Sequence, residues 1–480
     1  MKISADFPKN VAYVKEAIDQ CPDYIINELK LKDGTRLLLL CIDNMVDSQI
    51  LYYEVIPRIM AMTKETFSLD ILPFASVTVD TTLDDALAGV ATGGTFFLLE
   101  GMRYGFEVRV EKLFGRTPEA SETEKNLRGS RDSFVENINM NMAILRTKVG
   151  NHNLKYEEHT IGASTHQKII ISYIKGIANE KLLAKLRQRI KDLNFDGYLS
   201  TGYVEQMIAD RPRSPFPQFE ATERTDKTVA GLLEGKFAIF VNGAPEALLM
   251  PVCFWGFFQA MDDYSHSPWV GSMLGIFRFI SLFIAIFLPS IYITILSFHY
   301  YITPISVIST LVNSRNMVIF SPLLEAVIME FLFEIIRESA VRLPTYVGST
   351  LGIVGGIIIG QAAVEVGLVS NYMVIVVSVT AIAGFVVPSQ DMAYTMRLVR
   401  FLMMFFAGFF GFIGMLVGGS LLLIHLIQVE SLGRPYLLPM FPAKPRDTVN
   451  TVIRLPFRFL RFRPSIAKPE DKIRGKNRGK

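Results

Sequence analysis

Cysteine is scarce: the 480-residue chain has only Cys21, Cys41 and Cys253. Three copies at scattered positions fit a reducing compartment and form no C-x-x-C site, so neither a structural disulfide nor a zinc site is expected. Histidine is nearly as sparse, and His152, His159 and His166 lack metal-ligand spacing. The opening MKISADFPKNVAYVKEAIDQ is charged throughout, with no apolar core before a small-residue cleavage site, so no signal peptide is read there. Charge is missing from one long stretch. Asp, Glu, Lys and Arg make up 20% of the chain, yet residues 347–426 contain Glu365, Asp391, Arg397 and Arg400 and no others. At the chain average this window would hold about sixteen. Such depletion is what lipid selects, because an ionised side chain costs several kcal/mol near the bilayer centre. A wholly soluble, secreted or disordered protein is excluded.

What is present divides the chain. Residues 1–245 alternate strand-like runs (36–42, 95–99, 106–110, 169–174, 237–241) with amphipathic stretches such as 179–194, the pattern of an α/β region. The polar segment 117–131 reads as an exposed connection between two lobes, 1–115 and 116–245. In Arg213-Ser214-Pro215-Phe216-Pro217-Gln218 the prolines forbid a helix and predict a rigid bridge towards the second half.

That second half, 246–430, reads as an all-α polytopic membrane domain. Apolar segments 279–298, 347–369, 372–387 and 401–427 are spans, the first despite Pro289. Residues 247–258 are apolar but too short to cross, and 322–342 is long enough but charged, so both read as interfacial or re-entrant. The tail, 431–480, is basic: from 443 on it has twelve Lys/Arg against three Asp/Glu. The positive-inside rule puts it in the cytoplasm with the amino-terminal half, and it could also bind anionic lipid. Both ends inside require an even number of crossings, four, or six if 247–258 and 322–342 also cross.

Two helices carry the candidate functional residues. At 100° per residue, Val354, Ile358, Gln361 and Glu365 project within about 60° of one another, with Gly352, Gly356, Ala363 and Gly367 opposite. The small residues allow close helix packing, and the amide and carboxyl face belongs in an interior or a water-filled pathway formed between copies. A headgroup position for Glu365 is the alternative. In 322–342, with Ser321 as N-cap, Glu330, Glu334, Arg337 and Glu338 share one stripe and Arg342 follows. This stripe faces water, partner charges or a conduction path, the simplest case being the solvated face of an interfacial helix. Catalytic signals are weak: Gly89-Val90-Ala91-Thr92-Gly93-Gly94-Thr95 lacks the phosphate-binding lysine of a P-loop and reads as a turn or helix cap, and His425 reads as a packed residue. No enzyme activity, cofactor or nucleic-acid partner is expected.

The chain resembles a known family, the A subunits of GerA-type spore germinant receptors. The resemblance rests on Gly115-Arg116, the run from Arg128 to Glu136, Pro215-Phe216-Pro217-Gln218, Thr222-Glu223-Arg224-Thr225-Asp226, Leu233-Glu234-Gly235, Asn242-Gly243-Ala244-Pro245, Asp262-Asp263-Tyr264, the run from Phe333 to Pro344 and the run from Gly352 to Glu365. It covers roughly residues 103–427, in family order. Ser130 and Thr225 stand where the family favours proline, and Asn242-Gly243-Ala244 where Asp-Gly-Ser is common; residues 128–136 are also similar to the paralogous stage V sporulation AF proteins. The resemblance implies an integral protein of the inner spore membrane working with a nutrient-binding B subunit and a lipoprotein C subunit. It further implies a homo-oligomeric ring whose pore releases monovalent cations. A non-conducting scaffold of the germination complex and a secondary transporter are the alternatives.

Overall fold

The computed structural model describes residues 1–67, 76–110, 112, 124, 132–342, 358 and 360–475. Short helical turns aside, lobe 1 runs α1 (Phe7–Ala17), β1 (Tyr24–Lys30), β2 (Arg36–Ile42), β3 (Ser76–Asp80), α2 (Leu83–Ala91), β4 (Gly94–Leu99), β5 (Gly105–Arg109). Lobe 2 runs α3 (Ile138–Val149), β6 (Leu154–Ile161), β7 (Gln167–Ile174), α4 (Glu180–Lys191), α5 (Thr201–Ile208), β8 (Glu220–Thr222), α6 (Thr225–Leu233), β9 (Phe237–Val241), β10 (Ala247–Met250). Both sheets are antiparallel, ordered β1-β2-β4-β5-β3 and β6-β7-β9-β10-β8. One topology is used twice.

Small details repeat with it. Asn10 in α1 and Asn141 in α3 are both buried, and each clamps the backbone six residues earlier: Asn10 holds Ser4 N–H and C=O (3.2 and 2.8 Å), Asn141 those of Val135 (2.8 and 2.6 Å). Isolated bridges Lys2–Thr82 and Ser133–Arg224 tie each lobe's opening segment to the start of α2 or α6. Side chains cover both faces of each sheet: Leu38, Leu40 and Phe96 pack with α1 and α2, and Leu37, Leu39 and Phe97 on the reverse. Strands buried on both faces read as continuous apolar runs, which is why 36–42 and 237–241 stood out. The Gly-rich segment is the end of α2 and the start of β4; Gly89 and Gly94 leave the space taken by the Glu107 carboxylate.

One assignment is corrected here. Residues 247–250 are a fully buried strand of the lobe 2 sheet and Phe254–Phe258 a 3-10 turn packed on the helical half, so 247–258 is neither an interfacial helix nor a crossing. A strand buried on both faces and a short membrane segment share one signal, unbroken apolarity.

The helical half comprises α7 (Pro268–Ser297), α8 (Ile305–Arg315), α9 (Pro322–Arg342), α10 (Asn371–Phe385) and α11 (Gln390–Gln428). By length and composition α7 and α11 can cross a bilayer. Yet α11 is no single rod. Gly411 has φ 58° and ψ −138°, and a methyl group at Gly418 would meet the Met403 sulfur at 3.0 Å. On a straight helix those residues lie about 22 Å apart. The chain therefore reverses at Gly411 into two antiparallel arms, 390–410 and 412–428, and 401–427 is not one span. Both arms end at lobe 2, where Thr395 Oγ1 donates to Pro215 O (2.5 Å) and His425 Nε2 lies 2.9 Å from Ser214 Oγ. At the far end Phe298 packs beside Gly411 and Leu323 beside Gly408. The basic tail folds back on lobe 2: Arg474 pairs with Glu234 (2.7 Å) and Arg463 Nε donates to Leu233 O (2.8 Å).

Candidate functional site

The densest polar chemistry of the helical half lies between α9 and the first arm of α11. Glu330 is fully buried and accepts from Arg400 Nη1 at 2.6 Å; Arg400 is 2% exposed. One turn further along α9, Glu334 accepts from Arg397 Nη1 (2.7 Å) and from its own neighbour Arg337 (3.4 Å). Spacing four on α9 meets spacing three on α11 with the order reversed, so the rungs require antiparallel helices. Arg337 lies over the Phe385 ring, 4.6 Å from its centre. Farther from lobe 2, buried Glu325 accepts from Ser370 N (2.6 Å) and Oγ (2.5 Å), with Arg315 at 3.3 Å and Tyr292 hydrogen-bonded to the same serine. A buried charge is tolerated only when paired, and removing one partner costs about 3–5 kcal/mol.

This corrects the simplest reading of the charged stripe. Its first half faces partner charges inside the bundle, because Arg397 and Arg400 supply counterions that an interfacial helix would lack. Only Glu338 and Arg342 form an exposed pair, at 2.5 Å.

The glycine-rich helix is described from Ile358 and 360 onward; Val354, Gly352 and Gly356 lie outside the described residues. Ile358, Gln361 and Glu365 are exposed, whereas Ala363 is buried against Met329 and Met373. Glu365 makes no hydrogen bond or ion pair with the described residues. Gly367 lies past the end of the helix: φ is +74°, and the Met317 carbonyl occupies the place of a Cβ, so its close contact is made by a turn and not along a helix face.

Where the helices meet lobe 2, Arg278 holds Asp263 in a bidentate pair (2.5 and 2.9 Å), and Arg224 of lobe 2 pairs with Asp226 (2.7 Å) and reaches Asp262 (3.5 Å). On the other flank Glu205 of α5 is pushed up to about 7, first by burial and then by the nearby carboxylates of Asp391 and Glu246. Sequence reasoning singled out none of Arg397, Arg400, Glu325, Arg278 or Glu205. The available signal was Arg397-x-x-Arg400 in an apolar run, whose i, i+3 spacing matches a neighbouring acidic stripe.

The model of the Bacillus/Clostridium GerA spore germination protein matches residues 12–466. The chain belongs to the GerA family. Spore germination protein B1 of Bacillus subtilis (strain 168) is 34% identical, covering 99% of this chain and 100% of that protein. Spore germination protein KA of the same organism is 33% identical over 98% and 88%, and its uncharacterized membrane protein YfkQ is 34% identical over 96% and 91%. The crystal structure of the N-terminal domain of the A subunit of the Bacillus megaterium spore germinant receptor GerK3 aligns with 53% of this GerA-family chain and 98% of that domain, at 27% identity and a TM-score of 0.42.

Proposed function

We propose that this chain is the A-type membrane subunit of a spore germinant receptor, and that several copies surround a cation pathway in the inner spore membrane. The observation that carries this reading is whole-length membership of the GerA family, together with an exposed helix face bearing Gln361 and Glu365 that nothing in the described chain satisfies. Lipid penalises that face, and a ring of copies would turn it inward, with Val354 and Ile358 on the same stripe. The nutrient-binding B subunit and the lipoprotein C subunit are its partners, and the amino-terminal half and tail lie on the cytoplasmic side.

The crossing pattern that fits is six: α7, α9, the segment ending at Glu365, α10 and the two arms of α11. Arm 390–410 and α9 are each about 32 Å long, matching a hydrocarbon core of about 30 Å. Helix α9 can cross despite its charges because Glu330 and Glu334 are neutralised inside the bundle.

Ion flux through the purified full-length protein in liposomes tests the pathway. Glu365→Gln is expected to change the preference among monovalent cations by at least about threefold without altering assembly. Unchanged permeability ratios from normally assembled protein, or no flux from an oligomeric preparation, count for a scaffold instead.

A further inference from the structure

Between α6 and the inner ends of α7, α9, α10 and α11 lies a cavity of about 700 Å³. Its charged lining, among the described residues, is six cations, Arg224, Lys227, Arg278, Arg337, Arg397 and Arg400, and two acids, Glu124 and Asp262. Arg278 of α7 is paired with Asp263, but the three guanidiniums of α9 and α11 share two carboxylates, Glu330 and Glu334, so one positive charge lacks its own counterion. Donors also remain. Arg400 spends one nitrogen on Glu330 while its Nε has no acceptor, and Arg337 spends one nitrogen on a long 3.4 Å contact while its Nε too has none. Leaving a buried charged donor unmatched costs more than leaving a neutral one. The guanidinium fork fits tetrahedral oxyanions in bidentate fashion, which a lone ammonium cannot do. The volume is that of a small-ligand pocket, and Phe385, Val387 and Met396 give it one apolar wall.

We propose that this cavity binds a phosphate group, presented either by a soluble phosphate compound from the cytoplasmic side or by an anionic lipid headgroup. Arg337, Arg397 and Arg400 hold it from the helices and Arg224 from lobe 2, so the bound anion bridges the two halves. The proposal concerns binding and stands apart from the cation pathway.

Gly384 supplies the decisive variant. It lines the cavity, and a Cβ built on it would sit 3.9 Å from Arg400 Nη2 in ordinary contact. Gly384→Asp therefore tethers a carboxylate inside the site, while Gly384→Ala adds only a methyl group. Full-length protein would be reconstituted in nanodiscs of phosphatidylcholine and titrated with inorganic pyrophosphate. A parallel arm would compare the melting temperature in phosphatidylcholine and phosphatidylglycerol nanodiscs without added phosphate. Saturable pyrophosphate binding marks a soluble source, and stabilisation confined to phosphatidylglycerol marks a headgroup. In whichever arm responds, Gly384→Asp and Arg337→Gln are expected to weaken the response about tenfold, with Gly384→Ala unchanged. Gly384→Asp should also melt higher than Gly384→Ala in anion-free neutral nanodiscs, a gain that merely damaged packing would not give. No response in either arm up to about 10 mM pyrophosphate from folded wild type, or a response that Gly384→Asp and Arg337→Gln leave within about twofold, overturns the proposal.

Discussion

Lobe 1 and lobe 2 share a strand order, a buried asparagine clamp and a bridge onto the start of the last helix, yet equivalent positions carry different work. At the N-cap of α2, lobe 1 has Thr82, whose oxygen accepts from Asp85 N at 3.2 Å and satisfies its own helix. At the N-cap of α6, lobe 2 has Arg224, which does not cap by side chain but reaches Asp226 and Asp262 beside the helical half. In lobe 2, β10 runs directly into the turn packed beneath α7. Lobe 1 is held mainly by lobe 2, through fully buried Arg146, which pairs with Asp23 (2.7 Å) and stacks between Tyr24 and Tyr156. A duplicated architecture has thus been divided: one copy retains local capping, and the other gives up its cap for a contact across a domain boundary.

The largest test of this division is Arg146→Leu, which strands Asp23 in the lobe interface. It should cost about 3–5 kcal/mol in denaturant unfolding and free lobe 1 to limited proteolysis while the helical half stays folded. Arg224→Thr makes lobe 2 imitate lobe 1; regaining a cap but losing two carboxylate contacts should leave a net loss of about 1–2 kcal/mol, read as early release of the helical half from lobe 2. Glu205→Gln is next. Because the native carboxyl titrates near 7 and an unfolded glutamate near about 4.3, the native state holds the extra proton between those values. Its stabilising effect is complete below the unfolded value and is lost as pH rises through about 7. The variant should therefore flatten the melting temperature between pH 5 and 8, gaining about 2 kcal/mol over wild type at the alkaline end. The smallest effect belongs to Thr82→Ala, about 1 kcal/mol and confined to lobe 1, measured by hydrogen exchange in α2.

The sequence made the central strands visible because they are buried on both faces, and 36–42 coincides with β2. Strands β1 (YIINELK) and β6 (LKYEEHTI) interleave charges with apolar residues, and β8 is three residues long, so neither apolarity nor length revealed them. The duplication itself was invisible because Thr82 and Arg224 share a position and nothing else. In the helical half the charged stripe of 322–342 read most simply as a solvated face, because apolar composition did not show that Arg397 and Arg400 lie antiparallel beside it, nor that the chain reverses at Gly411. That glycine sits in an unbroken apolar run, where periodicity records burial and not direction. Lengths set beside bilayer thickness joined the two arms of α11 into a single span; the tertiary contacts of Gly414 and Gly418 part them.

The proline bridge has a mechanical consequence. Prolines 215 and 217 have no N–H to give a sheet or helix, which leaves nearby carbonyls to be met from outside: Pro215 by Thr395, Pro217 by Tyr436 (2.6 Å), Gln218 by Ser431 (2.7 Å), with His425 on Ser214. Four side chains, two from the arms of α11 and two from the segment that follows, thus grip the five residues 214–218. The joint works as a weld and not as a swivel. A torque applied to lobe 2 has no slack to absorb it and is delivered to both arms of the hairpin at once.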